Sequence, residues 1–431
     1  MDRRPIEVRL AEAGLPALPR NAWLEIDLDA LASNLALVRR IVGPGIAIEP
    51  VVKADAYGHG MVPIARALVG FGADGLCVAT LDEAMALRDA GIGGRITILY
   101  PIPPALASTA AGADVAVAVG DPASLARLSD GLADRPGSLA RPLEVELEIE
   151  TGLGRGGVSP ETAVEVGRAL AAAPAARLAG VWTHLQASED PARTAAQIER
   201  YETTLRFLAA AGIDVPRRHV AASGGILIGT VPVYDAVRPG LMTYGLVPDE
   251  FAPGSLPAAA GLRPVLSLHA RPVRVADLPA GHGLSYGPTF TTDRPSRIAT
   301  LPLGYGDGWA RALSNRAEAL VRGRRVPIVG NVAMDGILAD VTDVPGAPVD
   351  GDDEFVLLGR QGTDEIPASE LARTRTTNSW EVVTTMSGRL PRVYHAAAGP
   401  MAVRTLAGVE DRWLGSSSGT ATSATSRSTR S

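Results

Sequence analysis

The chain holds one lysine, Lys53; its other basic residues are arginines. A composition rich in Ala, Gly, Pro and Arg accounts for the loss of ordinary surface lysines, which arginine replaces at little cost. A lysine that must shed its proton and attack a carbonyl cannot be replaced in this way, because guanidinium does not deprotonate in proteins. Lys53 is therefore a candidate nucleophile. Other groups able to bind or to move protons recur along the chain. They are Arg155 in ThrGlyLeuGlyArgGlyGly, His184, Ser223-Gly224-Gly225 and Arg238-Pro239-Gly240.

Those residues need elements that bring them together. From Leu31 to about Asp249 short apolar runs alternate with amphipathic stretches. Eight strands are predicted: Ile46–Lys53, Asp74–Ala79, Arg95–Tyr100, Asp114–Val119, Leu143–Ile149, Leu178–His184, His219–Ala222 and Ala236–Arg238. Helix-like segments such as Glu83–Ala90 and Pro191–Ala211 fall between them. Asp82, Asp121, Ser159 and Asp190 are candidate N-caps, the last three followed by proline at the first helical position. Eightfold strand–helix alternation predicts an α/β fold built on a (β/α)8 barrel. Catalytic side chains of such barrels sit at the C-terminal strand ends. There Lys53 ends the first strand, Arg155 lies past the fifth, His184 ends the sixth, Ser223 follows the seventh, and Arg238 and Gly240 close the eighth. The loops after strands seven and eight are a usual phosphate site.

After Pro253 the pattern changes. Pro264–Ala276, Arg297–Pro302, Glu318–Arg322, Val326–Val332, Ile337–Val341 and Glu354–Leu358 alternate apolar and polar residues between Pro, Gly and Asp turns. They predict a second, mostly antiparallel β domain. Trp23–Asp27 is strand-like and is expected to pair with it. The expected organisation is an N-terminal extension over 1–21, a strand segment over 22–30, the barrel over 31–252, the β domain over 253–412 and a disordered Ser/Thr/Gly tail over 413–431.

Composition narrows the function classes. The 431 residues suffice for two domains, 46% are hydrophobic, and the net charge is -6 without a basic stripe. Nucleic acid is thereby an improbable partner. The lone cysteine, Cys77, cannot form an intramolecular disulfide and lies in an apolar run, so a buried, inert thiol is expected. No apolar stretch is long enough for a bilayer, and residues 1–21 do not read as a signal peptide, so a cytoplasmic location is expected. The sequence shows no nucleotide P-loop and no metal-spaced Cys/His cluster, so no metal is expected.

ValValLysAlaAspAlaTyrGlyHisGly at 51–60 resembles the cofactor-lysine motif of bacterial alanine racemases. The resemblance extends through TrpLeuGluIleAspLeuAspAla at 23–30, GluThrGlyLeuGlyArgGlyGly at 150–157, ThrHisLeuGlnAlaSerGluAsp at 183–190 and ValArgProGlyLeuMetThrTyrGly at 237–245. It continues in LeuSerTyrGlyProThrPhe at 284–290, LeuGlyTyrGlyAspGlyTrpAlaArg at 303–311 and AlaMetAsp at 333–335. It covers nearly the whole chain between Ala22 and about Tyr394.

The resemblance implies pyridoxal 5'-phosphate held on Lys53 as a Schiff base, and racemisation of alanine for peptidoglycan synthesis. Racemisation takes the α-proton from one face and returns it to the other, so two bases are needed. By similarity Lys53 serves the D-isomer and Tyr286 the L-isomer. A free tyrosine has a pKa of about 10, and His184 and Arg238 are the proposed positive charges that lower it. Arg238 is implied to face the pyridine nitrogen, where a permanent cation keeps that nitrogen unprotonated and favours racemisation. Related barrel decarboxylases place a carboxylate there. Tyr57, Ser223, Gly240 and Leu241 match phosphate positions, and His184 a further cofactor position. Arg155 matches a group holding the cofactor's phenolic oxygen or a substrate carboxylate. Tyr305, Met334 and Asp335 match residues near the substrate. Met334 and Tyr286 would come from the partner subunit of a homodimer with shared sites.

Four positions depart from the family pattern. Glu148 stands where some members carry a carbamylated lysine, and it is expected to supply the same negative charge to Arg155. Ala222 replaces an asparagine, Gly388 a phosphate-binding tyrosine, and Ala333 a cysteine. Two fewer polar contacts bear on cofactor affinity. The competing readings are a serine or broad-specificity racemase, a decarboxylase on the same scaffold, and a non-catalytic cofactor carrier. Arg238 disfavours the decarboxylase, and Tyr286 with the β domain disfavours the carrier.

Overall fold

The computed structural model describes residues 4–133, 141–252 and 254–412. The expected disordered tail over 413–431 lies outside the described residues. The first strand, β1 (Ala22–Asp27), precedes eight parallel strands: β2 (Ala47–Ile48), β3 (Gly75–Val78), β4 (Arg95–Ile98), β5 (Ala116–Val119), β6 (Leu143–Glu148), β7 (Ala176–Trp182), β8 (Arg218–Ala222) and β9 (Ala236–Arg238). Their order is β2-β9-β8-β7-β6-β5-β4-β3. A bridge between Val51 and Cys77 closes the ring, with Val52 N donating to Cys77 O at 2.8 Å and Cys77 N to Pro50 O at 2.9 Å. The predicted barrel is therefore present. β3 and β5 are buried at every position because helices cover the outside and side chains fill the interior.

Local chemistry explains the crossover helices. Asp190 accepts from the N–H groups of Ala192 and Arg193, both at 3.0 Å, to start helix Pro191–Ala210. Ser159 accepts from Thr162 N, and Asp121 from Ser124 N. Asp82 is not a cap. Helix Leu81–Asp89 starts after Thr80, and Glu83 reaches back to accept from Thr80 N and Ala79 N. The Thr-x-x-Glu pattern outranks the aspartate inside the first turn.

The barrel interior is unusual in its charge. Side chains alternate along a strand, so Glu144, Glu146 and Glu148 of β6 share one face. Arg95 from β4 pairs with Glu144 at 2.6 Å and also with Glu146. Glu49 pairs with Arg217 at 2.7 Å. Cys77 is fully buried, and burial raises its pKa, so the thiol stays protonated.

The second domain is a twelve-stranded sheet running β11-β14-β17-β16-β15-β18-β10-β1-β20-β21-β22 with β19 on β18. Its strands are β10 (Leu266–Ala270), β11 (Arg274–Leu278), β14 (Ser296–Leu301), β15 (Glu318–Val321), β16 (Arg324–Val329), β17 (Ile337–Asp340), β18 (Phe355–Gln361), β19 (Asp364–Ile366), β20 (Arg392–Ala396), β21 (Gly399–Thr405) and β22 (Gly408–Asp411); the hairpin β12–β13 (Gly283–Leu284, Phe290–Thr291) stands apart. β1 lies between β10, antiparallel, and β20, parallel. The predicted Pro264–Ala276 strand is two strands, since the chain leaves the sheet after Ala270 and re-enters at Arg274. The pattern reading missed helices Ala368–Arg375 and Ser379–Thr384 and strands β20 to β22. Those helices are one or two turns long, too short to show a helical period. The described part of the N-terminal extension, residues 4–21, also contributes structure: helix Ile6–Glu12 packs Ile6 and Leu10 against Trp23, Val393 and Val403, and Arg9 pairs with buried Glu25 at 2.5 Å.

Candidate active site

Lys53 opens a single helical turn, Lys53–Tyr57, whose residues Ala54, Asp55, Ala56 and Tyr57 all have positive φ, 52–55°. A left-handed turn costs L-residues about 1–2 kcal/mol each, so neighbours must hold it. Glu83 accepts from Ala54 N at 2.7 Å. Asp55 accepts from Met61 N at 2.8 Å and from Arg404 of the β domain at 2.7 Å. Buried Arg392 donates to Gly58 O at 2.9 Å, and Tyr394 donates to His59 O at 2.9 Å. Gly58 and Gly60 have φ of 80° and 100°, and a Cβ at either would collide with Val383 or Tyr394. The β domain thus clamps the segment that aims Lys53.

Lys53 lies on a cavity of about 240 Å³ together with Tyr57, Arg155, His184, Ser223, Arg238, Gly240 and Leu241. All eight barrel residues singled out in the sequence line this one space. A larger hollow of about 660 Å³ lies beyond Pro248 and Phe251, between the barrel and helices of the β domain, and Lys53 does not line it. The residues singled out in the sequence therefore converge on the smaller cavity.

Burial, reinforced by Arg155, lowers the Lys53 pKa and is opposed by Glu83, so the neutral amine is more accessible than in water. Burial raises the Tyr57 pKa, keeping its hydroxyl a donor. At the wall formed by Ser223, the backbone N–H groups of Gly240 and Met242 converge on Ser223 Oγ at 3.0 and 3.2 Å. A Cβ at Gly240 would lie 2.8 Å from the Tyr57 hydroxyl, so glycine keeps this wall open.

Arg238 is fully buried. It donates to Thr183 O at 2.8 Å and to His219 O at 3.1 Å, contacts His219 Nδ1, and stacks 4.8 Å from the Trp182 ring centre. Burial and the cations Arg238, Arg155 and Lys53 push His184 down to about 3. His184 is therefore neutral at working pH and does not supply positive charge for a tyrosine base. The two guanidiniums, Arg238 and Arg155, are the permanent cations of the cavity. Arg155 Nη2 lies 3.7 Å from Glu148 Oε1, and its guanidinium lies 5.3 Å from the Tyr100 ring centre. Burial raises the Glu148 pKa against the opposing pull of Arg155.

Tyr286, Tyr305, Met334 and Asp335 do not line the cavity. They form one exposed patch on the β domain, where Tyr286, Tyr305 and Met334 are 78%, 44% and 52% exposed. Asn331 donates to Tyr286 O at 2.9 Å, Tyr305 N to Ala333 O at 3.0 Å, and Arg389 to Asp335 at 2.6 Å. Ala222 lines the cavity without a polar group, and Gly388 faces open space. Sequence reasoning missed Tyr100, Trp182, His219 and Glu146. The alternating glutamates of LeuGluValGluLeuGlu, on a strand otherwise apolar, were the available signal for the last.

The fold and this rim define a two-domain class in which a lysine at a barrel mouth shares a cavity with a buried arginine and a Ser–Gly wall. The description "Alanine racemase, N-terminal domain" matches residues 26–248, and "Alanine racemase, C-terminal domain" matches residues 265–394. The chain belongs to the alanine racemase family. It is 42% identical to alanine racemase of Symbiobacterium thermophilum over 377 residues, covering 87% of this chain and 97% of that one. It is 38% identical to the alanine racemase of Halothermothrix orenii, covering 88% and 97%. The crystal structure of alanine racemase from Bacillus anthracis with bound L-Ala-P superposes with a TM-score of 0.84 at 34% identity, covering 90% of this chain and 98% of that one.

Proposed function

We infer that the chain is an isomerase that interconverts L-alanine and D-alanine, with pyridoxal 5'-phosphate in the cavity and its sites shared across a homodimer. The observation that carries this reading is the meeting of the chain's only lysine with Arg238 and the Ser223–Gly240 wall in one cavity. The donor set fits the cofactor. Tyr57 and Ser223 would offer hydroxyls and Leu241 a backbone N–H to a phosphate, at a wall where Gly240 N–H braces Ser223 Oγ. Arg238, whose two Nη atoms are held by His219, Thr183 and Val220, would turn its Nε–H to the ring nitrogen, and Lys53 would offer an amine to the aldehyde. When bound, the cofactor supplies an electron sink for charge developing at the α-carbon.

The chain's own residues account for the rest. Lys53, with its lowered proton affinity, takes and returns the α-proton on one face. Tyr286, from the partner subunit, serves the other face. Arg238 can donate but not accept a hydrogen bond, so it leaves the ring nitrogen without a proton, which favours racemisation over decarboxylation. Arg155, braced by Glu148, binds the phenolic oxygen or the substrate carboxylate, and His184 contributes a neutral imidazole to the cofactor wall. Tyr305, Met334 and Asp335 of the partner would close the substrate side, and a small cavity suits a methyl side chain. D-alanine made in this way would feed peptidoglycan synthesis in the cytoplasm. Among the described residues no helix is long and apolar enough to cross a membrane.

The test is direct. Purified protein given pyridoxal phosphate should abolish the optical rotation of L-alanine without releasing carbon dioxide. Borohydride reduction should leave a pyridoxyl adduct on Lys53. Persistent rotation, or an adduct absent from Lys53, contradicts the assignment.

A further inference from the structure

We propose that Glu146 is a positioning residue: its carboxylate fixes the ring proton of His219 on Nε2, which leaves Nδ1 as the acceptor that holds the Arg238 guanidinium in the cavity. The geometry forces the assignment. Arg238 Nη1 contacts His219 Nδ1, and His219 Nε2 lies 2.9 Å from Glu146 Oε2. All three side chains are buried. A guanidinium offers only donors, so Nδ1 must present a lone pair. A ring with one proton then carries it on Nε2, where Glu146 accepts it. A carboxylate that orients an imidazole through its far nitrogen is a general device for presenting the near one.

The charges around the pair agree. Burial and Arg238 push His219 down to about 4, against the pull of Glu146, so the ring is neutral. Burial opposes ionisation of Glu146, but the hydrogen bond from His219 and the cations Arg95 and Arg217 hold its carboxyl below the usual range. Glu49, also buried, balances Arg95 and Arg217. The backbone makes room for the arrangement. The β6–β7 pairing shifts register between Val145 and Glu146, and the β8–β9 pairing shifts between His219 and Ala222. A Cβ at Gly180 of β7 would collide with the Glu146 carboxylate. Gly180 is not in the left-handed region, so its reason to be glycine is space for that carboxylate.

This inference rests on the proposed role of Arg238 toward the cofactor, but its first readout does not. In full-length protein labelled with 15N-histidine, before cofactor is added, the His219 signals (assigned by their loss in His219→Gln) should show an Nε2-protonated, Nδ1-unprotonated ring. An imidazolium, or a proton on Nδ1, overturns the proposal. Glu146→Gln keeps an acceptor and should keep this tautomer, while Glu146→Leu should lose it. With cofactor, Glu146→Leu should weaken cofactor binding or kcat by about 10-fold or more, the lower end of the scale for carboxylate partners of metal-bound histidines, and Glu146→Gln should restore most of it. Equal behaviour of the two variants, or an unchanged tautomer in Glu146→Leu, overturns the proposal. If Glu146→Leu does not fold, Gly180→Ala crowds the same carboxylate and should shift the tautomer in the same direction; an unshifted ring contradicts it. Failure of racemisation in the wild type would sink the functional reading while leaving the tautomer result standing.

Discussion

Tyr286 stands exposed on the β domain, outside the cavity that encloses Lys53 of the same chain. If the two bases of one site come from two copies, inactive variants should complement each other. Lys53→Ala and Tyr286→Phe chains, mixed and reassociated, form dimers in which one site has both bases and the other has neither. Roughly one quarter of wild-type activity should return, because half the dimers are mixed and half their sites are intact. No recovery, in a sample shown by sedimentation to be dimeric, contradicts the shared site.

Lys53 should control both activity and the pH dependence of stability. Lys53→Met should reduce racemisation at least about a thousandfold, as removal of a covalent catalytic group does. Burial and Arg155 lower the lysine's pKa in the folded chain. The folded state therefore binds this proton less tightly than the unfolded chain, so Lys53 destabilises the cofactor-free protein at neutral pH. The deficit fades as pH rises toward the ordinary lysine value of about 10.4. Lys53→Met should melt higher than wild type at pH 7, with the gap narrowing near pH 10. A gap that does not change with pH contradicts the shift.

Glu148 carries the opposite sign of the same effect. Burial raises its pKa, so its ionisation opposes folding, and the stability it gives at low pH is lost as pH rises through the raised value. Glu148→Gln should therefore melt higher than wild type at pH 7 and match it near pH 4. Activity should fall by about two- to fivefold, since Arg155 is 37% exposed and such pairs contribute only ~0.5–1 kcal/mol. Unchanged kinetics would show that Arg155 does not need this carboxylate.

Arg392 donates to four backbone carbonyls, those of Gly58, Met386, Ser387 and Leu390, from a buried position. Arg392→Met should destabilise the chain by about 3–5 kcal/mol, the scale for breaking a buried charged network. Because Gly58 lies just beyond the left-handed turn, cofactor should also be released more readily. Denaturant titration and absorbance of retained cofactor check the two effects. A variant that unfolds like wild type would remove the clamp from the account.

The barrel is readable because β3 to β9 each carry a short apolar run set between helices, and three of the helix caps, Asp121, Ser159 and Asp190, act where their side chains put them. Asp82 misled because a capping box competes with a nearby acid, and only the register of the helix decides between them. The short helices at 368–375 and 379–384 carry too few residues for a period to show.

The sequence by itself determined that a solitary lysine sits in a strand–helix chain, and that arginine, histidine and serine follow at the ends of later strands. Order along a chain carries such information, because each strand end of a closed parallel barrel meets the same rim. Only the tertiary structure decided that His184 is neutral, that Glu146 reaches Arg238 through His219, and that Tyr286 lies away from its own chain's lysine. Burial, charge and tautomer depend on which atoms surround a group, and those neighbours come from segments far apart in the chain or from strands whose registers shift.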